Sequence, residues 1–559
     1  MSKLIIVIPL LPVLSAIFIQ LTAAKLERRA AWVSAMATGL TFALTLVVLA
    51  LEASGVSLQT MCLTHAWGEL LSDPLSAIMG TLIAGISLIV HLYSVRYMVE
   101  ETGYARFFVL LDLMTASLLV LVAAADLITM LIAWHIIGVL LYFLLGHDTR
   151  SQSSFRYAFW TFITYRLGDI ALVMAAALLY HAYGTWSLAD IFAHIHADPD
   201  KRGLLGFSVV AETAAFLAIA AFARSAQFLL HNWLPYTMDG PTPVSALMHA
   251  GIVNAGGFLV NRFAPVFVYS GDVLHGLFIV GLFTAVIGSV LMLAQNDIKK
   301  SLGYSTMGQM GFMIMECGVG AFSLAVYHLI AHGLFKGTLF LGSGSVIGEA
   351  RLDDGVPKDD LYTFVVERRT AKRRPPWLMM AAMTLTIPAL VLVLAHWLVS
   401  PAFYQEQGAV ILLFFGWVTG TQLLFATFRM RTERAAHLFT IVLASFTVIV
   451  IGYTLISHVF ELFMYPDPAF RELIHRASNI NFVWFDILIA LTTIIIVFGW
   501  LSTHYAERGG KRGPQKPRPV WLSFYALISR EFYLADIYAW FTRMVLRLAA
   551  NLNVWFRWV

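Results

Sequence analysis

Apolar runs of about 20 residues recur along almost the whole chain, and short polar stretches separate them. An α-helix of that length crosses the hydrocarbon core of a membrane. About fifteen spans are predicted on this basis. They cover residues 4–22, 30–52, 74–97, 106–124, 126–146, 157–181, 206–231, 243–268, 272–294, 301–319, 322–347, 377–399, 408–428, 436–460 and 481–502. The predicted fold class is an all-α polytopic membrane protein.

The last segment, residues 519–559, has a different pattern. Aromatic side chains are mixed there with charged ones, among them Arg530, Glu531, Asp536 and Arg543. A helix with one apolar and one charged face lies on a membrane surface or against a partner rather than across the bilayer. The sequence therefore predicts an amphipathic C-terminal helix.

Composition agrees with the membrane interpretation. The chain is 59% hydrophobic and 13% charged, whereas a soluble domain carries roughly 25% charged residues. A net charge of +4 gives no reason to expect nucleic-acid binding. The two cysteines, Cys62 and Cys317, are far apart and form no metal or redox motif.

Basic residues gather in alternate loops, and such loops face the cytoplasm in multi-pass proteins. They include residues 25–29, the turn at 296–300, the loop at 349–376 and residues 503–520. This distribution predicts an outside N-terminus and a cytoplasmic C-terminus. The main exception is the loop at 183–203, where three aspartates accompany the two basic residues.

Three ionisable residues fall on one stripe of a predicted span. His328, His332 and Lys336 are spaced by four, which places them within about 80° of one helix face. Imidazole titrates near neutral pH and both donates and accepts protons, so the stripe suits proton hopping. The alternative is that each histidine satisfies a carbonyl of a neighbouring helix. We favour the relay because three ionisable groups share the stripe, and no third ligand is spaced for zinc.

A second constellation predicts a broken helix. Arg224 lies seven residues before His231, which suggests a similar face, and Pro235, Pro241 and Pro243 follow at once. Unpaired backbone groups survive inside a membrane only where protein buries them or a cavity adjoins them. An end-of-helix kink with a snorkelling arginine is the alternative. Arginine effectively never deprotonates, so it can bias neighbouring groups but cannot carry a proton.

The remaining ionisable groups have two interpretations each. His135, in the middle of a span, is either a structural group or part of a path. Arg166 and Asp169 are spaced by three, which favours a structural ion pair. Glu212 and Glu316 are single carboxylates that either hold a proton or pair with a basic group.

Several of these residues belong to stretches that resemble a known family. The stretches are 224–227 (Arg-Ser-Ala-Gln), 240–249 (Gly-Pro-Thr-Pro-Val-Ser-Ala-Leu-Met-His), 297–311 and 328–336. They are similar to the antiporter-like subunits of respiratory complex I and of Mrp-type cation/proton antiporters, over roughly residues 60–350. The resemblance implies inverted repeats with broken helices and a hydrated line of Lys, His and Glu that conducts protons.

The resemblance also implies a division of the chain. Its parts are N-terminal membrane helices (1–105), a proton-conducting core (106–350, with the second repeat extending to about 400), a basic cytoplasmic loop (351–376), C-terminal membrane helices (377–502), and a basic linker with a docking segment (503–559).

It further implies a proton path but no catalytic, cofactor-binding or metal-binding residue in this chain. The path residues are His135, Arg224, His249, Lys299, Lys300, His328, His332 and Lys336. The secondary candidates are Arg166, Asp169, Glu212 and Glu316.

The sequence departs from the complex I pattern at informative places. Trp134-His135 stands where the family has Trp-Glu, and Arg224 stands where it has a lysine. The span at 377–399 keeps Pro388 but has no Lys or Glu, and the long lateral helix is lacking. With these departures, the chain resembles the DabB-type membrane subunits of DAB inorganic-carbon pumps.

That resemblance implies a bacterial inner-membrane subunit with a large cytoplasmic partner, DabA, a zinc protein similar to carbonic anhydrase. Proton or sodium entry through the chain would energise hydration of CO2 to bicarbonate by the partner. The loop 349–376 and the tail 519–559 are the implied docking surfaces. Two alternatives stay open: a proton-pumping or antiporter subunit of a respiratory, hydrogenase or Mrp-type complex, and a structural membrane anchor.

Overall fold

The structure is a computed structural model. It describes residues 3–56, 58, 61–62, 68–148, 150–237, 240–295, 297–352, 435–478 and 526–556, with the single positions 390, 391, 393, 394, 487 and 523.

The described residues are mainly helical. The helices are α1 (Lys3–Leu26), α2 (Ala30–Ala53), α3 (Pro74–Tyr97), α4 (Tyr104–Ala123), α5 (Leu127–Leu145), α6 (Gln152–Tyr183), α7 (Leu188–Ala197), α8 (Val209–Arg224), α9 (Trp233–Tyr236), α10 (Thr242–Ala250), α11 (Ala255–Arg262), α12 (Ala264–Phe267), α13 (Gly271–Ala294), α14 (Ile298–Gly318), α15 (Phe322–Leu352), α16 (Ala435–Met464), α17 (Pro468–Ala477) and α18 (Leu534–Phe556). Short 3-10 turns cover Glu27–Arg29, Met98–Glu100, Ile252–Asn254 and Glu531–Tyr533.

One short β-ribbon accompanies these helices. Strand β1 (Met61–Cys62) pairs antiparallel with β2 (Glu69–Leu70), with Met61 opposite Leu70.

Eight helical stretches of the described region are long and apolar enough to cross a membrane, which confirms a multi-pass protein. The first, Leu4–Ala53, contains both α1 and α2. Beyond residue 352, α16 matches the predicted span at 436–460. The other predicted spans there lie largely outside the described residues, as do most of the basic loop and the linker before the C-terminal helix.

The predicted span at 206–231 is wrong in its extent. Helix α8 ends at Arg224, and the backbone then enters the left-handed region at Ala226 (φ 49°) and Leu229 (φ 74°). L-residues avoid this region, so a continuous helix is not possible here. The break therefore precedes Pro235, and Arg224 and His231 do not lie on one helix face.

The chain forms two compact units. The first comprises Met1–Gly318, Ala325–Ser343 and Arg518–Val559, and the second comprises Val319–Leu324 and Gly344–Pro517.

Within the first unit, a buried carboxylate connects the four N-terminal helices. Asp112 on α4 is fully buried and accepts hydrogen bonds from Ser15 of α1 and Ser34 of α2, both at 2.7 Å. Nε2 of His91 on α3 lies 3.1 Å from the same carboxylate. Because a buried polar group without a partner is costly, these bonds fix how the four helices meet.

The pair α13 and α14 needs glycine at its contact. A side chain at Gly281 would meet the backbone of Met315, and one at Gly311 would meet the backbone of Ala285. The absent side chains let the helix backbones approach closely, as small residues do in membrane bundles. This approach sets the position of α14, which carries much of the polar row described below.

In the second unit, α17 begins at Pro468 after Asp467, whose side chain accepts the Ala469 N–H at 3.0 Å. His475 of α17 lies 3.8 Å from Glu461 of α16. These contacts position a short amphipathic helix after a long apolar one.

Candidate functional site

The predicted stripe of α15 faces polar groups of α14. Nδ1 of His328 lies 3.0 and 3.1 Å from the two carboxylate oxygens of Glu316, and its Nε2 lies 2.9 Å from Oε1 of Gln309. Both ring nitrogens thus face oxygen acceptors, which fits a doubly protonated imidazole; a flipped Gln309 amide would present a donor instead. Glu316 is therefore one half of an ion pair rather than a lone carboxylate.

His332 occupies the next position of the stripe. Its ring centroid lies 6.4 Å from that of His328, and both ring nitrogens are buried without a hydrogen-bond partner among the described residues. A buried polar group of this kind is normally satisfied by water. A bridging water between the two rings is thus compatible with the geometry.

Lys336 completes the stripe. Its side chain is buried, and Nζ donates to Oγ of Ser305 at 2.7 Å and to the carbonyl of Leu302 at 3.3 Å. Within the described chain it forms no ion pair with a carboxylate. The Lys336 ammonium is therefore held by neutral oxygen atoms of α14 rather than by an ion pair.

His249 joins the row from α10. It is buried, its Nδ1 lies 3.1 Å from Oγ1 of Thr306, and its ring stacks on Phe340 at 4.2 Å. It interacts electrostatically with both His332 and Lys336. The structure therefore brings His249 together with the stripe.

The row follows α14 for about half of a membrane thickness. Glu316 lies near the C-terminal end of that helix, and Ser305 lies 11 residues before it. At 1.5 Å per residue they are about 17 Å apart, compared with about 30 Å for the hydrocarbon core. We call the residues Glu316, His328, His332, His249, Lys336 and Ser305 the polar row.

The two lysines at the start of α14 differ. Lys300 lies 3.6 Å from a carboxylate oxygen of Glu531 and 4.1 Å above the ring of Tyr236. Lys299 is half-buried. Burial and the Glu531 carboxylate raise the pKa of the Tyr236 hydroxyl well above its usual range.

A second cluster surrounds Arg224 at the end of α8. Its side chain is 1% exposed, and Nη2 donates to the carbonyl of Trp134. The guanidinium lies 4.4 Å from the Trp134 ring centroid and 4.1 Å from that of Tyr165. Two aromatic faces and a carbonyl hold this permanent charge inside the bundle.

Asp169 of α6 links this arginine to two further groups. One carboxylate oxygen lies 3.7 Å from Arg224, and the other lies 2.9 Å from Arg166 and 3.0 Å from Nδ1 of His135. The His135 side chain is 54% exposed, whereas Arg224 is buried. His135 therefore lies at the outer edge of this cluster and not in its interior.

Asp169 supplies an acid beside the arginine although position 135 is not a glutamate. The spacing of Arg166 and Asp169 signals their ion pair, but nothing in the sequence places Arg224 beside it. That contact arises because α6 packs along α8, with Gly168 against Ala220 and Ala223.

Glu212 lies elsewhere and has a local role. Its carboxylate accepts backbone N–H groups of Leu204 at 3.0 Å, Leu205 at 2.6 Å and Phe207 at 3.2 Å. These bonds close the loop that precedes α8. The described partners of Glu212 are thus backbone N–H groups and not the basic side chain that the pairing interpretation expected.

The break after α8 holds polar groups that the predicted path omitted. Both ring nitrogens of His231 and both amide atoms of Asn232 are buried and have no hydrogen-bond partner in the part of the chain that is described. The ring centroid of Tyr304 lies 6.2 Å from that of His231. Such groups indicate a hydrated region.

No group of three or more His, Cys, Asp or Glu able to hold a metal occurs among the described residues.

Comparison with known proteins identifies relatives of this chain. Residues 124–421 match the family model described as NADH:quinone oxidoreductase/Mrp antiporter, TM. Residues 65–108 match the model for the N-terminus of chain 5 of NADH-ubiquinone oxidoreductase (complex I).

Individual relatives cover different shares of the chain. A probable inorganic carbon transporter subunit DabB1 of Halothiobacillus neapolitanus is 57% identical over 99% of both chains. Chloroplastic NAD(P)H-quinone oxidoreductase subunit 5 of Manihot esculenta is 39% identical over 55% of this chain and 41% of its own length. A chain of the Mrp complex from Dietzia sp. DQ12-45-1b has the same fold, with a TM-score of 0.56 and 24% identity over 98% of this chain and 63% of that chain.

Replacing Asp169 with Asn tests the Arg224 cluster. The change leaves two guanidinium groups without their nearby carboxylate, one of them buried. We expect the free energy of unfolding in detergent to fall by about 3–5 kcal/mol. The matched control is Glu472→Gln, which removes an exposed ion pair to Arg476 and should cost no more than about 1 kcal/mol. Equal losses in the two variants would contradict a buried charge cluster.

Proposed function

The chain belongs to the family of antiporter-like membrane subunits that includes DabB1 and the NADH:quinone oxidoreductase and Mrp subunits, and on that premise we propose that it is the ion-conducting membrane subunit of an inorganic-carbon transporter. Protons, or sodium ions, move through it down their gradient. That flow drives accumulation of bicarbonate by a partner that hydrates CO2.

The observation that supports this function best is the polar row combined with near full-length similarity to DabB1. The similarity covers 99% of each chain, whereas the match to the chloroplast oxidoreductase subunit covers 41% of that protein. The row provides groups that exchange protons along a direction close to the length of α14. A purely structural anchor would not need buried imidazoles without partners, since each lowers stability.

Proton movement along the row takes three steps. A proton shared between Glu316 and His328 leaves through an imidazole nitrogen, because imidazole can bind at one nitrogen and release at the other. Water between the rings carries it across the 6.4 Å to His332. From there it reaches Lys336, where Ser305 accepts from Nζ at 2.7 Å.

Arg224 acts on this path without carrying a proton. Its charge is permanent, and Asp169 at 3.7 Å offsets part of it. The pair sets the electrostatic potential at the break after α8 and so biases the protonation of groups nearby. His135, which is 54% exposed, tunes the same cluster from its edge.

The catalytic step belongs to a partner in this proposal. The partner is a large cytoplasmic zinc protein of the carbonic-anhydrase-like DabA type, and zinc there activates water for attack on CO2. The chain lies in a bacterial inner membrane with its C-terminus in the cytoplasm. The basic loop and the tail 519–559 provide its docking surfaces.

Replacing His332 with Ala tests the proton row. The change removes the only imidazole between His328 and Lys336 on this stripe, so we expect CO2-dependent growth and bicarbonate uptake to fall about a hundredfold. Copurification of the partner should be unchanged. His194→Ala, which removes an exposed imidazole from α7, serves as the control. Normal uptake in the His332 variant would remove this histidine from the mechanism.

Purification of the tagged chain from its native membrane in mild detergent tests the partner. We expect one large soluble protein that contains zinc by metal analysis. A set of small hydrophobic subunits or iron–sulfur proteins would contradict the carbon-transporter proposal and favour a respiratory or antiporter complex.

A further inference from the structure

The C-terminal segment places a buried carboxylate against the first turn of α14. Glu531 lies three residues before the start of α18, and its residue is 3% exposed. The hydroxyl of Tyr236 donates to Oε2 at 2.7 Å, and Nζ of Lys300 lies 3.6 Å from Oε1. The carboxylate therefore joins three distant parts of the sequence: the tail, the break after α8, and the first turn of α14.

The backbone around this carboxylate is in an unusual conformation. Glu531, Phe532 and Tyr533 have φ angles of 55°, 57° and 59°, so three consecutive residues are left-handed. None of them is Gly, Asn or Asp, the residue types that tolerate this region. Such strain persists only where the surroundings determine it, and it clusters at functional sites.

Neighbouring contacts hold the turn in position. The hydroxyl of Tyr538 donates to the carbonyl of Leu229 at 3.2 Å. The ring of Phe532 lies edge-on to Phe228 at 6.2 Å. Leu229 is itself one of the two left-handed residues in the break after α8. The tail therefore contacts this break at two points.

A further hydroxyl lies near the carboxylate. The hydroxyl of Tyr304 is buried and interacts with the Glu531 carboxylate. Tyr304 lies one residue before Ser305, the acceptor for Lys336, and its ring is 6.2 Å from the unpartnered His231. The contacts of Glu531 therefore lead, through Tyr304, towards Ser305 in the polar row and towards His231 in the break after α8.

We propose that Glu531 is the terminal cation-exchanging carboxylate of the ion path, carried by the tail rather than by the antiporter-like core. This inference rests on the proposed function. The row then has a carboxylate at each end, Glu316 and Glu531, with the imidazoles and Lys336 between them.

The chemistry of the site fits this role. A carboxylate accepts a proton or coordinates a monovalent cation, and the adjacent Lys300 and Tyr236 compete for the same oxygens. Binding of a proton weakens the contact to Lys300, because the charge that attracts the ammonium is lost. Each transfer therefore loosens and reforms the contact between the tail and α14, which makes conduction sensitive to the position of the tail.

The test is ion flux into liposomes that contain the purified complex. A potassium diffusion potential drives entry, a trapped pH-sensitive dye reports protons, and a parallel series reports radioactive sodium. We expect Glu531→Gln to lower flux about tenfold or more, while Glu531→Asp restores a substantial part of it. Glu472→Gln, an exposed carboxylate of α17 paired with Arg476, should conduct like the unmodified chain.

The outcomes separate the inference from the function on which it rests. Absence of flux of either ion in the unmodified complex overturns the proposed function, and this inference with it. Full flux in the unmodified complex and in Glu531→Gln overturns the inference alone. If the complex with Glu531→Gln fails to assemble, the Tyr236→Phe variant tests the inference instead, since it removes one hydroxyl beside Glu531 and keeps the ring. We expect that variant to lose about threefold to tenfold in flux, and unchanged flux would contradict the proposal.

Discussion

An ionisable side chain within a membrane is stable only where another protein group or water satisfies it. This constraint governs the first unit of the structure. Asp112 meets it with two serines and a histidine, and Arg224 meets it in part, with two aromatic rings and a backbone carbonyl. The ring nitrogens of His231 and His332 do not meet it with any described protein group. Asp112 and Arg224 connect helices, whereas we expect water at the two histidines.

The break after α8 follows from the same constraint. Two left-handed residues end the helix and leave backbone groups that need partners in the interior. One is found locally: the N–H of Phe228 donates to Oγ1 of Thr284 at 3.1 Å. Others come from the tail, through Tyr538 and Leu229. A tail that completes the break also controls how open it is, so its contact is part of the conduction machinery in our proposal.

The sequence predicted the helices and the stripe of α15 because both depend on local periodicity. Span 74–97 coincides with α3, and the four-residue spacing placed His328, His332 and Lys336 on one side. It could not predict contacts between helices. Asp169 beside Arg224 depends on how α6 packs on α8, and Glu531 beside Lys300 joins positions far apart in the chain. The early end of α8 was missed because Ala226, Leu229 and Leu230 are residue types that favour a helix, whereas the structure has a break there.

In our proposal, a cation gradient across the membrane drives inorganic-carbon accumulation through this chain. The measurement that tests this is the accumulation of labelled bicarbonate by liposomes that contain the purified complex, with an imposed proton gradient and then with an imposed sodium gradient. We expect accumulation that requires one of the two gradients and stops when the matching ionophore collapses it. Accumulation that continues after both gradients are collapsed, or that never responds to either, would contradict it.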